Sequence, residues 1–212
     1  MSPRPRRSSD AELLAATGRV MSRLGPSRLT LADVAKEAGL APATLVQRFG
    51  SKRGLLLAVV KQSTDSVDEC FARVRAAHGS PLATLYAAMN EMTQHCETPE
   101  ALANSLAFLE IDLIDPDFHR YALQNSRAML AGFQALLEEA VVAGELLPCN
   151  TARLARLLQA ACSGSMLSWA IHREDSLATW LRHDLDTLLA PYRAPGPIRR
   201  AGARRKQRIT KR

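Results

Sequence analysis

Apolar residues fall three and four apart through most of the chain and nowhere alternate convincingly at period two, a pattern that predicts helices and no sheet. Ser9 and Glu12 make a capping box ahead of an inward stripe at Leu13, Val20, Met21 and Leu24, and Gly25 and Pro26 end that first helix. A second stripe, Leu31, Val34, Ala35 and Ala38, starts at Thr30, with Asp33 three residues on. Gly39 supplies a left-handed terminus and Leu40 can tuck beneath the turn. Pro42 suits a first helical position, and Leu45 and Phe49 then face inward while Ala43, Thr44, Gln47 and Arg48 face out.

From Ser51 to about His78 the spacing of Leu56, Val59, Val60, Val67 and Phe71 predicts one long helix, broken at 79–81 by Gly, Ser and Pro. Beyond it, helices are expected at about 82–95, 99–111, 116–144, 151–173 and 176–192. The breaks fall at Thr98-Pro99, Asp115-Pro116, Gly144 and Pro148 to Asn150. No internal repeat is present. The expected fold is all-α, a three-helix N-terminal unit joined by a bridging helix to a larger helical body.

The two short helices around Gly39 read as a helix-turn-helix. A helix entering a major groove presents its N-terminal residues to base edges, and Pro42, Ala43 and Thr44 are small enough to allow close approach. Gln47 can pair with adenine, and Arg48 with guanine or a phosphate. Ser51 to Arg53 open the next helix, where free backbone N–H groups and the Lys52 charge suit a phosphate. The plainer alternative is a three-helix core with solvated polar residues, and the agreement of cap, turn, inward pair and basic exit favours DNA.

At these residues the chain resembles the TetR family of transcriptional regulators: LLAATGRVMSRLG in the first helix, LADVAKEAGLAPATL across the turn and RFGSKRGLL after it. By that resemblance Pro42, Ala43 and Thr44 match base-reading positions, and Thr30, Gln47, Arg48 and Lys52 match positions touching backbone or bases. Two positions depart from the family pattern. Val46 stands where a phosphate-contacting tyrosine is usual, and Ala41 where a serine often caps the recognition helix, a loss of about 1 kcal/mol in helix stability.

Charge sharpens the division of the chain. Residues 1–60 hold 10 Lys and Arg against 4 Asp and Glu, residues 61–192 hold 9 against 17, and residues 193–212 hold 9 against none, which together give the net +7. A basic head and tail thus flank an acidic body, as expected if the ends meet a polyanion and the body is held clear of it. Residues 1–8 form a basic arm and 193–212 a basic tail, both expected to be disordered, and the tail is as consistent with a solubilising role as with nonspecific DNA binding. The units are then 9–55, the DNA-binding domain, and 56–192, the effector-binding and dimerisation domain. With no membrane-length apolar run and no signal-peptide core, the expected location is cytoplasmic. Cys70, Cys96, Cys149 and Cys162 make no Cys-x-x-Cys pair and are expected to be reduced thiols, not metal ligands.

The body carries Met89, Met92, Phe108, Phe118, Tyr121, Met129, Phe133, Met166 and Trp169, flexible and aromatic surface suited to a cavity. From these, Met89, Met92, Phe108, Tyr121, Phe133, Met166 and Trp169, with His95 as a polar anchor, are the candidate contacts for an unknown small-molecule effector. Gln124, Asn125 and His172 are further possible anchors, and plain core is the competing role for each apolar residue. That a cavity exists follows from the resemblance. Leu154, Leu157, Leu158, Ala161, Ser165 and Ser168 form one stripe and Leu177, Trp180, Leu181, Leu185, Leu188 and Leu189 another, consistent with a four-helix homodimer interface or with closure of the monomer's own core.

Glu110 to Asp117 reads as an acidic, solvated interhelix loop. No cofactor, metal cluster, nucleophile elbow or phosphate loop is legible, so no catalytic residue is assigned. The expected function is a homodimeric repressor on double-stranded, near-palindromic DNA, released by a small molecule. The alternatives are a ligand-independent or activating regulator, or a small-molecule or protein-interaction module whose basic ends only adhere to DNA.

Overall fold

The computed structural model describes residues 9–195, so the basic arm and most of the basic tail lie outside it. Ten α-helices follow one another in the described residues: α1 (Asp10–Arg28), α2 (Leu31–Ala38), α3 (Pro42–Phe49), α4 (Lys52–Asp65), α5 (Val67–Ala77), α6 (Pro81–Thr93), α7 (Pro99–Ile114), α8 (Pro116–Val142), α9 (Thr151–His172) and α10 (Leu177–Leu189). Short 3-10 turns, Gln94–Cys96 and Ala190–Tyr192, follow α6 and α10. Among the described residues extended pairing is limited to one isolated antiparallel bridge, Leu146 to Arg193. The all-α expectation therefore stands.

Helices α1 to α3 and the first turns of α4 enclose a small core of Leu13, Leu14, Val20, Leu29, Val34, Ala35, Leu45 and Leu55. In the body, α8 is central and packs against α4, α5, α6, α7 and α9. Its Phe133 meets Phe71 of α5 edge to face at 5.6 Å, the arrangement that the ring quadrupoles favour. Leu85, Met89, Leu136, Leu137, Leu154 and Leu185 fill out that core.

Two segments differ from the sequence expectation. The long bridging helix is two, α4 and α5, parted at Ser66. There the Ser66 hydroxyl donates to the Gln62 carbonyl at 2.8 Å and that of Thr64 to Val60 at 2.8 Å. Side-chain hydroxyls that bond back onto the preceding turn bend helices, and two lie within three residues. The acidic stretch Glu110 to Asp117 is not a loop. Residues 110–114 complete α7, and Asp115 alone separates α7 from α8, capping α8 by accepting from the Asp117 N–H at 3.0 Å.

The C-terminal end of the described chain is also fastened. Arg193 donates to Asp186 at 2.6 Å and to the Tyr86 hydroxyl at 2.7 Å, and the Ala194 N–H donates to the Glu145 carbonyl at 3.1 Å. These two residues, grouped with the tail on composition, close the body instead.

Candidate nucleic-acid interface and the cavities behind it

The turn between α2 and α3 is built as its residues dictate. Thr30 accepts from the Asp33 N–H at 3.2 Å while Asp33 accepts from the Thr30 N–H at 2.9 Å and from its hydroxyl. Those bonds hold the Asp33 carboxyl below the usual carboxylate range. Gly39 adopts φ 67°, ψ 34°, and the Leu40 N–H returns to the Ala35 carbonyl at 2.8 Å. Only a residue without Cβ takes that conformation at no steric cost. Ala41 caps α3 without a side-chain bond, as its residue type requires.

Leu45 is fully buried and Phe49 packs beside it, which turns the opposite face of α3 outward. Pro42, Ala43, Val46 and Gln47 are exposed there and Thr44 is half-buried. Arg48 reaches Asp10 of α1 at 3.1 Å, and the Lys52 ammonium donates to the Ser27 carbonyl at 3.1 Å. Ser51 caps α4 through the Gly54 N–H at 3.0 Å. A Cβ on Gly54 would stand 2.1 Å from the Phe49 carbonyl oxygen, so glycine sets how closely α4 follows α3.

The head's described acids are all engaged internally. Asp10 meets Arg48, Glu12 accepts from the Ser9 N–H, Asp33 serves the α2 cap, and Glu37 pairs with Arg19 and Arg23 at 2.9 and 3.3 Å. Hydrogen bonds from those two arginines lower the Glu37 pKa. The seven sequence-predicted DNA residues thus lie along α3 and the helix termini next to it.

Behind this unit lie two cavities that share Ser63, His95 and Asn125 in their walls. The larger, about 640 Å³, lies within the body and gathers Met89, Met92, Phe133 and Met166 from the predicted effector set, with Met129. The smaller, about 240 Å³, lies at the seam between α1 and α4 on one side and α7 and α8 on the other. Phe108 and Tyr121 face it. Trp169 lines neither and packs instead with Cys96, Leu102, Leu177 and Leu181. Gln124 and His172 are exposed, His172 stacking on Trp180 at 5.5 Å. Cys162 and Gln159 of α9, Arg73 of α5 and Asp112 of α7 were missed. Asp112 alone left a signal, one turn after Phe108 and on the same face.

Burial sets the chemistry of these walls. It pushes the Cys162 thiol up to about 11 and lowers the His95 pKa, so the thiol stays protonated and the imidazole neutral at pH 7. Among the described residues no group of His, Cys, Asp or Glu could hold a metal ion, and no helix is long and apolar enough to cross a membrane.

Comparison with known proteins bears on the N-terminal unit first. Residues 13–59 match the model of the bacterial regulatory proteins of the tetR family. The HTH-type transcriptional regulator BetI of Stenotrophomonas maltophilia is 37% identical over 68 residues, which is 32% of this chain and 35% of that relative. The head thus carries the N-terminal domain of that family. Solved structures extend the likeness in fold to the body. A TetR regulator from Haloarcula marismortui superposes with a TM-score of 0.69 at 19% identity, covering 87% of this chain and 97% of that one. SmeT, the repressor of the S. maltophilia multidrug efflux pump SmeDEF, gives 0.64 at 22% identity over 90% and 93%. FadR of Bacillus subtilis, in complex with stearoyl-CoA, gives 0.61 at 13% identity over 86% and 98%. The chain thus pairs a head that matches the tetR-family model with a body that shares the helical fold of these solved structures.

Proposed function

We propose that the chain is a homodimeric transcriptional repressor that binds a near-palindromic operator through α3 and is released by a small molecule. The observation that carries this reading is the outer face of α3. Its exposed residues, apart from Arg48, are small or uncharged, and the helix is held from behind by Leu45 and Phe49 and continued by Ser51 and Lys52 at an open helix N-terminus. Pro42, Ala43, Thr44 and Gln47 would meet base edges, with Thr30, Arg48 and Lys52 on the backbone. The Arg48 and Lys52 contacts to Asp10 and Ser27 are bonds within the head that a phosphate would replace. The chain then acts by binding, with no catalytic step.

Two further observations support the dimer and the ligand. Leu154, Leu158 and Ser165 of the first expected interface stripe, and Leu177, Leu181, Leu185 and Leu189 of the second, are buried within the subunit. On α9 the exposed apolar row keeps Leu157 of the first stripe and runs on through Ala160, Gly164, Leu167 and Ile171, three and four apart with small residues at its centre. Such a row lets two helices pack closely across a two-fold axis and would set the readers roughly 34–36 Å apart. Release by a small molecule is supported by the body cavity, by SmeT's being a repressor and by the stearoyl-CoA bound to FadR.

The test is selection of bound DNA from a random pool followed by gel-shift competition. The expected outcome is one near-palindromic sequence whose complex survives excess random DNA. Binding that ignores base order would instead identify an adhesive module.

A further inference from the structure

The seam between head and body is fastened by polar contacts at two ends and by an apolar cluster of Leu56, Phe108 and Phe118 with Met21, and it encloses a cavity beside them. At one end Asn104 of α7 donates from Nδ2 to the Ser22 carbonyl of α1 at 2.7 Å. At the other, Arg53 at the start of α4 forks onto Asp115 at 2.8 to 3.2 Å and reaches Asp117 at 2.9 Å. The 240 Å³ cavity touches the head directly through Met21, Ser22 and Val59.

Among its lining residues Asp112 alone is charged at neutral pH, His95 being held neutral by burial. Its carboxylate makes no hydrogen bond or ion pair among the described residues, in a wall otherwise of hydroxyls, amides and apolar groups. Burial raises its pKa to about 6, opposed by His119 nearby, which leaves it ionised at pH 7.5. A half-buried anion with no hydrogen bond or close ion pair, and only His119 nearby, is an unfavourable state that a cation in the cavity would relieve.

The cavity also has a neighbour. Ser63, His95 and Asn125 line both it and the larger space walled by methionines and Phe133, a surface that adapts to varied apolar shapes. The one cationic side chain there, Arg73, is already paired with Glu91, and Glu69 adds a further carboxylate. Neither cavity offers an unpaired cation to an acid.

We propose that the two adjoining cavities bind an amphiphilic amine, its ammonium paired with Asp112 at the seam and its apolar portion reaching past the shared Ser63, His95 and Asn125 into the body. The binding itself stands on the cavity; its effect on DNA rests on the repressor reading above. An occupant held at Asp112 would bear directly on α1 through Met21 and Ser22, between the two fastenings, and would not need to act through the body alone.

The experiment is calorimetric titration of the full chain at pH 7.5 with decylamine, decanol and decanoate, each below its micelle concentration. Decylamine is expected to bind about tenfold or more tightly than decanol, with decanoate weakest. Asp112→Asn should bring decylamine down to the level of decanol and leave decanol unchanged. Ala122→Met fills the seam while keeping every charge, and it should weaken decylamine with the thermal melt intact. The proposal is overturned if wild type ranks the alcohol or the acid with the amine, or if either folded variant keeps full amine affinity. Operator DNA separates the two readings. Asp112-dependent amine binding without DNA release keeps the site and removes the ligand-released repressor. Release by other compounds, without Asp112-dependent binding, does the reverse.

Discussion

Burial lifts the Asp112 carboxyl to about 6, so the folded chain holds that proton more tightly than the unfolded chain, whose carboxyl titrates near 3.8. A group raised in this way favours folding below pH 3.8, and that contribution is lost as pH rises through 6. Asp33, Glu37 and Asp115 run the opposite way, lowered by hydrogen bonds from Thr30, from Arg19 and Arg23, and from Arg53, so their stabilisation is lost as pH falls. Comparing wild type with Asp112→Asn cancels that background. Above pH 7 the variant is expected to gain about 1 kcal/mol on wild type, after allowance for solvent screening, with the gap closing towards pH 4. Urea midpoints across that range measure it, and a constant gap would show that Asp112 does not titrate as described. Lys52 is tested by salt. Lys52→Ala is expected to weaken every DNA sequence alike and reduce the salt slope by about 1, while changes at Thr44 or Gln47 alter which sequence is preferred. An unchanged slope removes Lys52 from the backbone contacts.

The short helices of the head follow local rules closely enough to be engineered by them. Ala41 leaves α3 uncapped, and Ala41→Ser is expected to add about 1 kcal/mol to stability in urea denaturation. Gly54→Ala forces a Cβ to 2.1 Å from the Phe49 carbonyl and should cost about 1–3 kcal/mol, with weaker DNA binding as α3 is displaced. Wild-type stability in that variant would mean that α4 can shift freely. These elements were legible because each signal is local: a hydroxyl three residues before a carboxylate, a glycine after an apolar stripe, a proline at a first turn. The break at Ser66 was not, because hydroxyls bonding back to Gln62 and Val60 leave the apolar spacing undisturbed. On α9 the periodicity announced an amphipathic helix without telling its two apolar faces apart.

In the proposed dimer, the exposed face of α9 would form the interface. Leu167 is 43% exposed in the subunit, so Leu167→Glu should leave the melt unchanged while shifting the protein from dimer to monomer in sedimentation. Loss of the paired reader should weaken operator binding about a hundredfold or more. A variant that remains dimeric places the interface elsewhere. The joining of head to body was largely hidden from the linear pattern. Arg53 stands more than sixty residues from both Asp115 and Asp117 in the chain, and Asn104 meets Ser22 across eighty-two.

Most helix positions, the helix-turn-helix and the family likeness of the head could be read from the order of residues, since capping, turn chemistry and amphipathic spacing act over a few positions. Packing alone determined which apolar stripe is buried, that Trp169 belongs to core while Phe108 and Tyr121 face a cavity, and that Asp112 looks into it unpaired. Those outcomes depend on which distant helices meet. Periodicity can say that a helix has an inside, but only the neighbouring helices say what that inside touches.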